Sequence, residues 1–256
     1  MKYFFCVIGD PIEHSRSPEI YAPMFAKHNI QYQFDKIRIR KEELCNIKSF
    51  VHSMNLSGFA VTMPHKRTIM PYLDGIDALA RNAGSVNIVT VEDGKLFGHN
   101  TDGIGLINAI ESFGVPVRNL SVVILGHGGA FYGAKAAFEM HSCTVHSISR
   151  TKTNTLNDEL LSSPFIGNAD IVINATPLGM KNAPNFDSFS FLKELKPNAI
   201  VADMVYRDGE TELVTNARKL GLLSFDGSRM LLYQGMEAFK LWMSTIEKTD
   251  KAVLYI

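Results

Sequence analysis

The sequence SVVILGHGGAFYGAKAAFEM, residues 121–140, contains an apolar run, a glycine-rich turn and an alanine-rich run in succession. The apolar run Ser121–Leu125 is typical of a buried strand, and the alanine-rich run Gly129–Met140 is typical of a helix. Glycines 126, 128 and 129 lie at the junction, with the spacing Gly-x-Gly-Gly-Ala rather than Gly-x-Gly-x-x-Gly. Such a turn lets the backbone approach a pyrophosphate at the positive end of the following helix. A strand before the turn and a helix after it therefore favour a dinucleotide-binding fold over a merely structural turn.

Short β-rich runs alternate with longer amphipathic runs on both sides of this stretch. The sequence predicts strands at 4–8, 33–39 and 59–63, each followed by a helix, at 18–28, 41–54 and 64–73. Further along it predicts strands at 144–148, 171–174 and 199–202, and helices at 103–113, 212–220 and 230–246. This alternation is the βαβ pattern of a parallel sheet with helices on its faces. The Asp-Gly pair at 93–94 predicts a hairpin turn between strands at 86–91 and 95–99.

Two lobes follow from this pattern. We predict an α/β protein with an N-terminal α/β substrate domain, formed by residues 1–101 together with 229–256. Residues 102–228 form the second lobe, a Rossmann-like, doubly wound dinucleotide-binding domain. The last predicted helix, 230–246, has too few neighbouring elements to form a domain of its own, so we expect it to pack on the first lobe.

The composition narrows the class of partner. Of the 256 residues, 46% are hydrophobic and 20% charged, and Lys plus Arg equals Asp plus Glu at 26 each. A neutral balance provides no broad field for nucleic acid or an anionic membrane, so a small molecule is the favoured partner. Three widely spaced cysteines without a CxxC pair predict neither a disulfide framework nor a metal site. No apolar run approaches the roughly 18 residues of a membrane span, so we expect a soluble, cytoplasmic protein. The near-neutral charge permits either a monomer or a homodimer.

The residues after the strand at 144–148 indicate the cofactor. Ser149, Arg150, Thr151 and Lys152 stand where a dinucleotide fold meets the adenosine ribose. NAD-binding folds usually place an acidic residue there, whereas a guanidinium and hydroxyls suit a 2′-phosphate. No acidic residue lies between Glu139 and Asp158, so the sequence favours NADP over NAD. The alternative is that Arg150 and Lys152 belong only to a solvated loop.

Polar side chains follow the predicted strands of the first lobe. In AVTMPHK, residues 60–66, Thr62 ends a strand and Lys66 falls in the first turn of a predicted helix. A cation is disfavoured at that end of a helix, so Lys66 is better explained by proton transfer than by stability. In GHNTDGIG, residues 98–105, Asp102 lies in the first turn of a predicted helix that Asn100 or Thr101 can cap. An aspartate at the start of a helix is by itself commonly structural, because the helix dipole stabilises its charge. We expect one crevice, at the carboxyl ends of the strands, to collect Ser15, Ser17, Thr62, Lys66, Asn87 and Asp102.

This set of residues resembles the shikimate dehydrogenase family, from Gly9 to about Gln234. Its motifs occur here in the family's order: Ser-x-Ser at 15–17, Val-Thr-x-Pro-x-Lys at 61–66, Val-Asn at 86–87, Asn-Thr-Asp-Gly at 100–103, Gly-x-Gly-Gly-Ala at 126–130, Arg-Thr at 150–151, Asn-Ala-Thr at 174–176, and the segment 230–234. The resemblance implies an NADP-dependent oxidoreductase that reversibly reduces 3-dehydroshikimate to shikimate, in the chorismate pathway to aromatic amino acids.

The resemblance also implies roles for the matching residues. Lys66 and Asp102 would be the catalytic pair. Ser15 and Ser17 would bind the substrate carboxylate, and Thr62, Asn87, Tyr206 and Gln234 its other polar groups. The cofactor would contact Gly126, His127, Gly128, Gly129, Ala130, Ser149, Arg150, Thr151, Lys152, Thr176, Met204 and Gly227.

The sequence departs from the family pattern at several of these places. His127 and Phe131 stand where small residues are common, Ser149 replaces the usual Asn, and Arg229 occupies an often small position. Two alternatives therefore remain open at this point: a quinate/shikimate dehydrogenase that uses NAD, and a non-catalytic small-molecule-binding paralogue. Retention of both Lys66 and Asp102 argues against the paralogue, because binding alone needs no acid/base pair.

Overall fold

A computed structural model describes residues 2–149 and 163–253 of the chain. The chain divides into two compact units, Met1–Asp102 with Gln234–Ile256, and Gly103–Tyr233. Each unit contains one sheet. Among the described helices, none combines the length and apolar character needed to cross a membrane. The assignment of substrate to the first unit and cofactor to the second stays a prediction.

The first unit is built on a mixed sheet with the strand order β2-β1-β3-β5-β6-β4. Its elements in chain order are β1 (Tyr3–Gly9), α1 (Ser17–Lys27), β2 (Tyr32–Arg38), a 3₁₀ helix (Lys41–Asn46), α2 (Ile47–Ser53), β3 (Gly58–Val61), α3 (His65–Thr68), a 3₁₀ helix (Met70–Tyr72), β4 (Gly75–Ile76), α4 (Ala78–Ala83), β5 (Ile88–Glu92) and β6 (Lys95–His99). Strands β1, β2 and β3 are parallel, whereas β5 runs antiparallel to both β3 and β6.

Several sequence-based expectations for this unit need correction. The sheet is not wholly parallel, because β5 runs against its neighbours. The helix expected at 64–73 is broken into α3 and a 3₁₀ turn around Pro71, which lacks the N–H that an α-helix needs there. The helix expected at 41–54 begins as a 3₁₀ helix, and β4 and α4 were not predicted at all. The hairpin is confirmed, with Asp93 and Gly94 both at positive φ between β5 and β6.

The second unit contains a parallel sheet with the order β11-β10-β9-β7-β8. The chain continues with α5 (Asp102–Glu111), β7 (Ser121–Leu125), α6 (Gly129–Met140), β8 (Thr144–Ile148), α7 (Pro164–Gly167), β9 (Ile171–Asn174), a 3₁₀ helix (Ser190–Glu194), β10 (Ile200–Asp203), α8 (Glu212–Lys219), β11 (Leu223–Phe225) and α9 (Gly227–Val253). Helix α9 belongs to the second unit only up to Tyr233, and the rest of it belongs to the first unit. After β8 the chain returns to the other side of β7, so the strand order reverses between β7 and β9. This is the doubly wound topology that the sequence predicts, and its switch point is where such sheets bind ligands.

Separate cores hold the two sheets. In the first unit, Trp242 of α9 is buried against Phe5 and Tyr21, at ring-centroid distances of 4.9 and 4.7 Å. Its indole N–H donates to the Val89 carbonyl at 3.0 Å. In the second unit, apolar side chains of β7, β9 and β10 pack with those of α8, including Val123, Val172, Val201 and Leu213. Each unit thus presents a rigid sheet edge on which loop residues can be positioned.

Candidate active site

One edge of the first sheet collects most of the predicted polar residues. The carboxyl ends of β1, β3 and β6 meet there, and because β5 is antiparallel its amino end lies at the same edge. Asn87 directly precedes β5, so it is not at a carboxyl end as expected from the sequence. The antiparallel direction of β5 nevertheless brings Asn87 to the same place.

Lys66 and Asp102 form an ion pair at this edge. The ammonium of Lys66 donates to Asp102 Oδ2 at 2.5 Å, and the two side chains are 31% and 19% exposed. The backbone N–H of Asp102 donates to Asn100 Oδ1 at 3.1 Å, which fixes the carboxylate at the start of α5. The carbonyl of Lys66 accepts from Val86 N–H at 2.7 Å, which holds the lysine backbone. The pair is therefore fixed in place and still partly open to a ligand.

Asn87 joins this pair to other polar groups. Its Nδ2 lies 2.9 Å from Asp102 Oδ1, 3.0 Å from Thr101 Oγ1 and 3.2 Å from Gln234 Oε1. Its Oδ1 accepts from Thr101 N–H at 2.8 Å, and the Thr101 hydroxyl donates to Gln234 Oε1 at 3.2 Å. Lys66, Asp102 and Asn87 thus belong to one network, as expected from their positions in the sequence, and Gln234, which only the family resemblance indicated, belongs to it too. Thr101 belongs to it as well, although the sequence indicated it only as a possible helix cap.

The loop after β1, which leads to Ser15 and Ser17, adjoins the loop after β3, which leads to Lys66 in α3. The Ser15 hydroxyl donates to Ser17 Oγ at 3.1 Å, so the two hydroxyls form a pair at the start of α1. Asp10 N–H donates to the Met63 carbonyl at 3.1 Å, which ties the two loops together. Arg38 Nε also donates to Asp10 Oδ1 at 2.6 Å. Half-buried Thr62 follows β3 at this junction.

His65 was not assigned a role by the sequence but supports the same loop. It is fully buried, and its Nε2 lies 2.5 Å from the Ile39 carbonyl oxygen, to which it donates. Its Nδ1 is also buried and has no hydrogen-bond partner among the described residues. The side chain therefore anchors the residue next to Lys66 to the chain segment that leaves β2.

In the second unit, the glycine turn lies at the switch point between β7 and β9. Gly126 has φ +107°, and a Cβ added there would lie 2.9 Å from Thr176 Cγ2, so only glycine fits. A Cβ added at Gly128 or Gly129 would meet nothing within 4 Å. Gly128 precedes α6 without any side-chain cap. The turn thus leaves an open cradle in front of the first N–H groups of α6, which fits a pyrophosphate.

Three aromatic rings at and just after this turn pack against one another. The exposed His127 ring stacks on buried Phe131 at 4.4 Å, and Tyr132 meets both rings edge-on. His127 Nδ1 lies 3.4 Å from Ser147 Oγ on β8. Ala130, in the first turn of α6, is exposed beside them. The unusual residues His127 and Phe131 therefore lie on either side of Gly128 and Gly129 in the sequence. Since glycine has no side chain, the backbone of Gly128 and Gly129 stays accessible to a ligand.

The remaining predicted cofactor residues fall into two groups. Thr176, Met204 and Gly227 follow β9, β10 and β11, at the edge where Gly126 follows β7. Ser149 directly follows β8, whereas Arg150, Thr151 and Lys152 lie outside the described residues.

Two further residues of the second unit bear on the predictions. Tyr206, predicted to bind substrate, is exposed and lies in the second unit, whereas the other predicted substrate ligands lie in the first. The Arg229 guanidinium covers the Phe113 ring at 4.1 Å and donates to Ser112 Oγ, so it ties the start of α9 to the residues that follow α5.

The chain is similar to known proteins over nearly its whole length. Residues 7–89 match a family model described as the shikimate dehydrogenase substrate binding domain. A relative from Staphylococcus aureus (strain MRSA252), named shikimate dehydrogenase (NADP(+)), is 38% identical over 247 residues, which cover 93% of this chain and 91% of the relative.

Solved structures give the same result. One crystal structure, of a shikimate dehydrogenase in complex with NADP⁺, shares 34% sequence identity with this chain and has a TM-score of 0.81. The match covers 95% of this chain and 90% of that protein's chain. The Thermus thermophilus shikimate 5-dehydrogenase in complex with NADP(H) and shikimate is 27% identical, with a TM-score of 0.80 and 94% coverage of both chains. With such an identity to a named relative and this coverage, the chain belongs to the shikimate dehydrogenase family.

Proposed function

We propose that this chain catalyses the reversible, NADPH-dependent reduction of 3-dehydroshikimate to shikimate. The observation that carries the proposal is the partly open Lys66–Asp102 ion pair, 2.5 Å between Nζ and Oδ2, joined to Asn87 and Gln234. An ammonium held by a carboxylate at an open edge can give and take a proton. Relatives with this fold are named for the reaction, and one is seen with both NADP(H) and shikimate.

The substrate matches the polar groups of the first unit. Hydroxyls of Ser15 and Ser17 can donate to a carboxylate, and they already form a pair at the start of α1. Thr62, Asn87 and Gln234 supply further groups that can both donate and accept, which suits a ring that carries several hydroxyls. Tyr206 stays a predicted contact from the second unit. A polyhydroxylated acid therefore accounts for the composition of this edge better than an apolar ligand does.

The chemistry needs one hydride and one proton. NADPH, when bound, supplies the hydride for the carbonyl carbon of 3-dehydroshikimate. Lys66 donates a proton from Nζ to the carbonyl oxygen as the C=O π electrons move onto that oxygen, which yields the hydroxyl of shikimate. Lys66 then regains a proton from water. In the oxidative direction Lys66 takes the hydroxyl proton instead.

Asp102 and Asn87 keep Lys66 ready for this step. The Asp102 carboxylate fixes the ammonium at 2.5 Å and balances its charge. Asn87 donates to the other carboxylate oxygen at 2.9 Å, so the carboxylate is held through both of its oxygens. Fixed hydrogen bonds of this kind preserve the orientation that proton transfer requires.

The second unit would hold the cofactor. The open Gly128–Gly129 backbone and the N-terminus of α6 fit the pyrophosphate, with His127 and Ala130 beside it. Ser149, Arg150, Thr151 and Lys152 are proposed for the ribose 2′-phosphate from their positions in the sequence. The absence of a nucleic-acid partner is part of the proposal and is supported by the net charge of zero. Action in the cytoplasm as a monomer or homodimer is also part of the proposal.

Initial rates with four substrate pairs test this function. Shikimate and quinate are each supplied with NADP⁺ or NAD⁺, and reduction of the nicotinamide is followed by absorbance. We expect shikimate with NADP⁺ to give the highest kcat/KM, by about tenfold or more over each other pair, which corresponds to about 1.4 kcal/mol. Dominant NAD⁺ use or equal turnover of quinate would instead indicate a quinate/shikimate dehydrogenase. Absence of turnover with all four pairs would indicate a binding protein.

A further inference from the structure

Asn174 and Asp203 form a buried polar pair that the proposed mechanism does not use. They end the adjacent strands β9 and β10, and they stand opposite each other in the strand register. The side chains are 0% and 1% exposed, and Asn174 Nδ2 donates to Asp203 Oδ1 at 2.9 Å. Asp203 Oδ2 is also buried, and it makes no well-directed hydrogen bond within the described residues. Burial of a carboxylate is unfavourable, so its presence here needs an explanation.

Asn174 fixes the loop that follows β9. Its Oδ1 accepts from both the N–H and the hydroxyl of Thr176, at 3.0 and 2.6 Å. Its Nδ2 also donates to the Leu178 carbonyl at 3.1 Å, and Leu178 N–H donates back to Thr176 Oγ1 at 3.1 Å. The methyl group of Thr176 borders Gly126. One amide side chain therefore sets the shape of the loop that bounds the glycine turn.

Asp203 fixes the loop that follows β10. Its Oδ1 accepts from Val205 N–H at 3.0 Å, in addition to the bond from Asn174. The Val205 carbonyl accepts in turn from Gly227 N–H at 2.9 Å, at the start of α9. Met204 N–H donates to the Asn174 carbonyl at 2.9 Å, which links this loop back to β9. The pair thus connects the residues predicted to contact the cofactor after three different strands.

We propose that the Asn174–Asp203 pair is the positioning element of the cofactor site. It touches no cofactor itself. It holds Thr176, Met204 and Gly227 in register with the Gly126 turn, so that these groups need no rearrangement when NADP binds. The inference rests on the proposed function, since it concerns the affinity of the same cofactor.

A purely structural role makes a different prediction, and the chain offers a matched control. Asp170 lies at the opposite, amino-terminal edge of the same sheet, just before β9. It accepts from Ser121 N–H at 2.8 Å and from Lys196 Nζ at 2.7 Å. Asp170→Ala therefore also removes two hydrogen bonds from this sheet, but at the end away from the glycine turn. If Asp203 only stabilises the fold, both alanine variants will lower stability and leave cofactor affinity unchanged.

The experiment measures NADP⁺ binding by isothermal titration calorimetry, well below the unfolding temperature of each variant. We expect Asp203→Ala to raise the Kd for NADP⁺ about tenfold or more, because the buried hydrogen-bond acceptor that fixes the cofactor loops is lost. Asp203→Asn keeps an acceptor oxygen, so its Kd should stay within about threefold of wild type. Asp170→Ala should stay within about twofold, whatever its stability, because its bonds do not reach the cofactor loops. Hydrogen exchange should rise at residues 174–178 and 203–205 in Asp203→Ala and stay unchanged in β8, the edge strand on the other side of β7.

The outcomes separate this inference from the proposed function. Wild-type protein that binds neither NADP⁺ nor NAD⁺ contradicts both. Wild-type binding with an unchanged Kd in Asp203→Ala contradicts the inference alone, as does an equal loss in Asp203→Asn and Asp203→Ala, which would point to charge rather than hydrogen-bond geometry. If Asp203→Ala does not fold, Asn174→Ala removes the donor of the same bond, and an unchanged Kd there is equally contradictory.

Discussion

Lys66→Ala removes the ammonium that would exchange a proton with the substrate oxygen. General acid/base catalysis contributes about 10²–10⁴ to a rate, which corresponds to about 3–5 kcal/mol of the activation barrier. The ion pair itself contributes little to folding. Its side chains are 31% and 19% exposed, and partly exposed pairs of this kind are worth about 1 kcal/mol or less. We therefore expect kcat to fall by two or more orders of magnitude in a protein that remains folded.

Steady-state kinetics with shikimate and NADP⁺ would report kcat and KM separately, and calorimetry would report the Kd for NADP⁺. The loss should appear in kcat, because the proton is transferred only in the chemical step. Lys48→Ala is a matched control, since Lys48 Nζ lies 2.5 Å from Asp74 Oδ1 in another Lys–Asp pair of the same unit. That pair lies outside the Lys66–Asp102 network, so Lys48→Ala should change kcat by no more than about twofold.

Two results would refute this reasoning. A Lys66→Ala variant with kcat within tenfold of wild type would remove Lys66 from the proton transfer. An equal loss in Lys48→Ala would show that both variants act through stability, because the two residues have only the ion pair in common. We expect the Kd of Lys66→Ala for NADP⁺ to equal that of wild type, which would show that the second unit of the variant is intact.

Three other perturbations address the cofactor, the core and the buried carboxylate. Arg150→Ala should weaken NADP⁺ binding more than NAD⁺ binding, as measured by titration; equal losses would contradict the 2′-phosphate assignment. Trp242→Phe should lower the free energy of unfolding in urea by about 1–3 kcal/mol, because the bond to Val89 and part of the packing are lost. Burial raises the pKa of Asp203 from 3.8 to about 6, against the opposing effects of the nearby Thr211 hydroxyl, Val205 N–H and Asn174. Between these two pKa values the native chain keeps a proton that the unfolded chain loses. The free energy of unfolding of wild type, relative to that of Asp203→Asn, should therefore fall by about 3 kcal/mol as the pH rises from 3.8 to about 6. A difference between the two proteins that stays constant with pH would contradict the effect of burial.

Most of the second unit could be predicted closely from its sequence, although β11 and α7 were not predicted. Strands β7 and β9 are largely apolar runs, and α6 begins at a glycine turn, so their ends are visible in the sequence. The first unit was less predictable. The Asp-Gly turn showed the hairpin, but whether β5 or β6 runs against β3 depends on pairing between distant segments. No local pattern carries that information.

The site could be predicted where it depends on strand ends, and not where it depends on packing. Lys66, Asp102 and Asn87 were expected together because each stands next to a strand end. Asn174 and Asp203 are 29 residues apart, and only the sheet shows that they are neighbours. A signal was nevertheless present, since in IVIN and IVAD a single polar residue closes an otherwise apolar strand. A polar side chain at the end of a buried strand needs a hydrogen-bond partner. The sequence therefore indicates that such a residue is hydrogen-bonded, even before the partner is known.

A crystal structure of the chain with shikimate and NADP⁺ bound is the most direct test of the central claim that Lys66 moves the proton. We predict that Lys66 Nζ lies within hydrogen-bond reach, about 2.6–3.2 Å, of the oxygen of the hydroxyl group that becomes the carbonyl, while Asp102 still holds the ammonium. A complex in which that hydroxyl faces another residue, with Lys66 Nζ beyond hydrogen-bond reach, would contradict it.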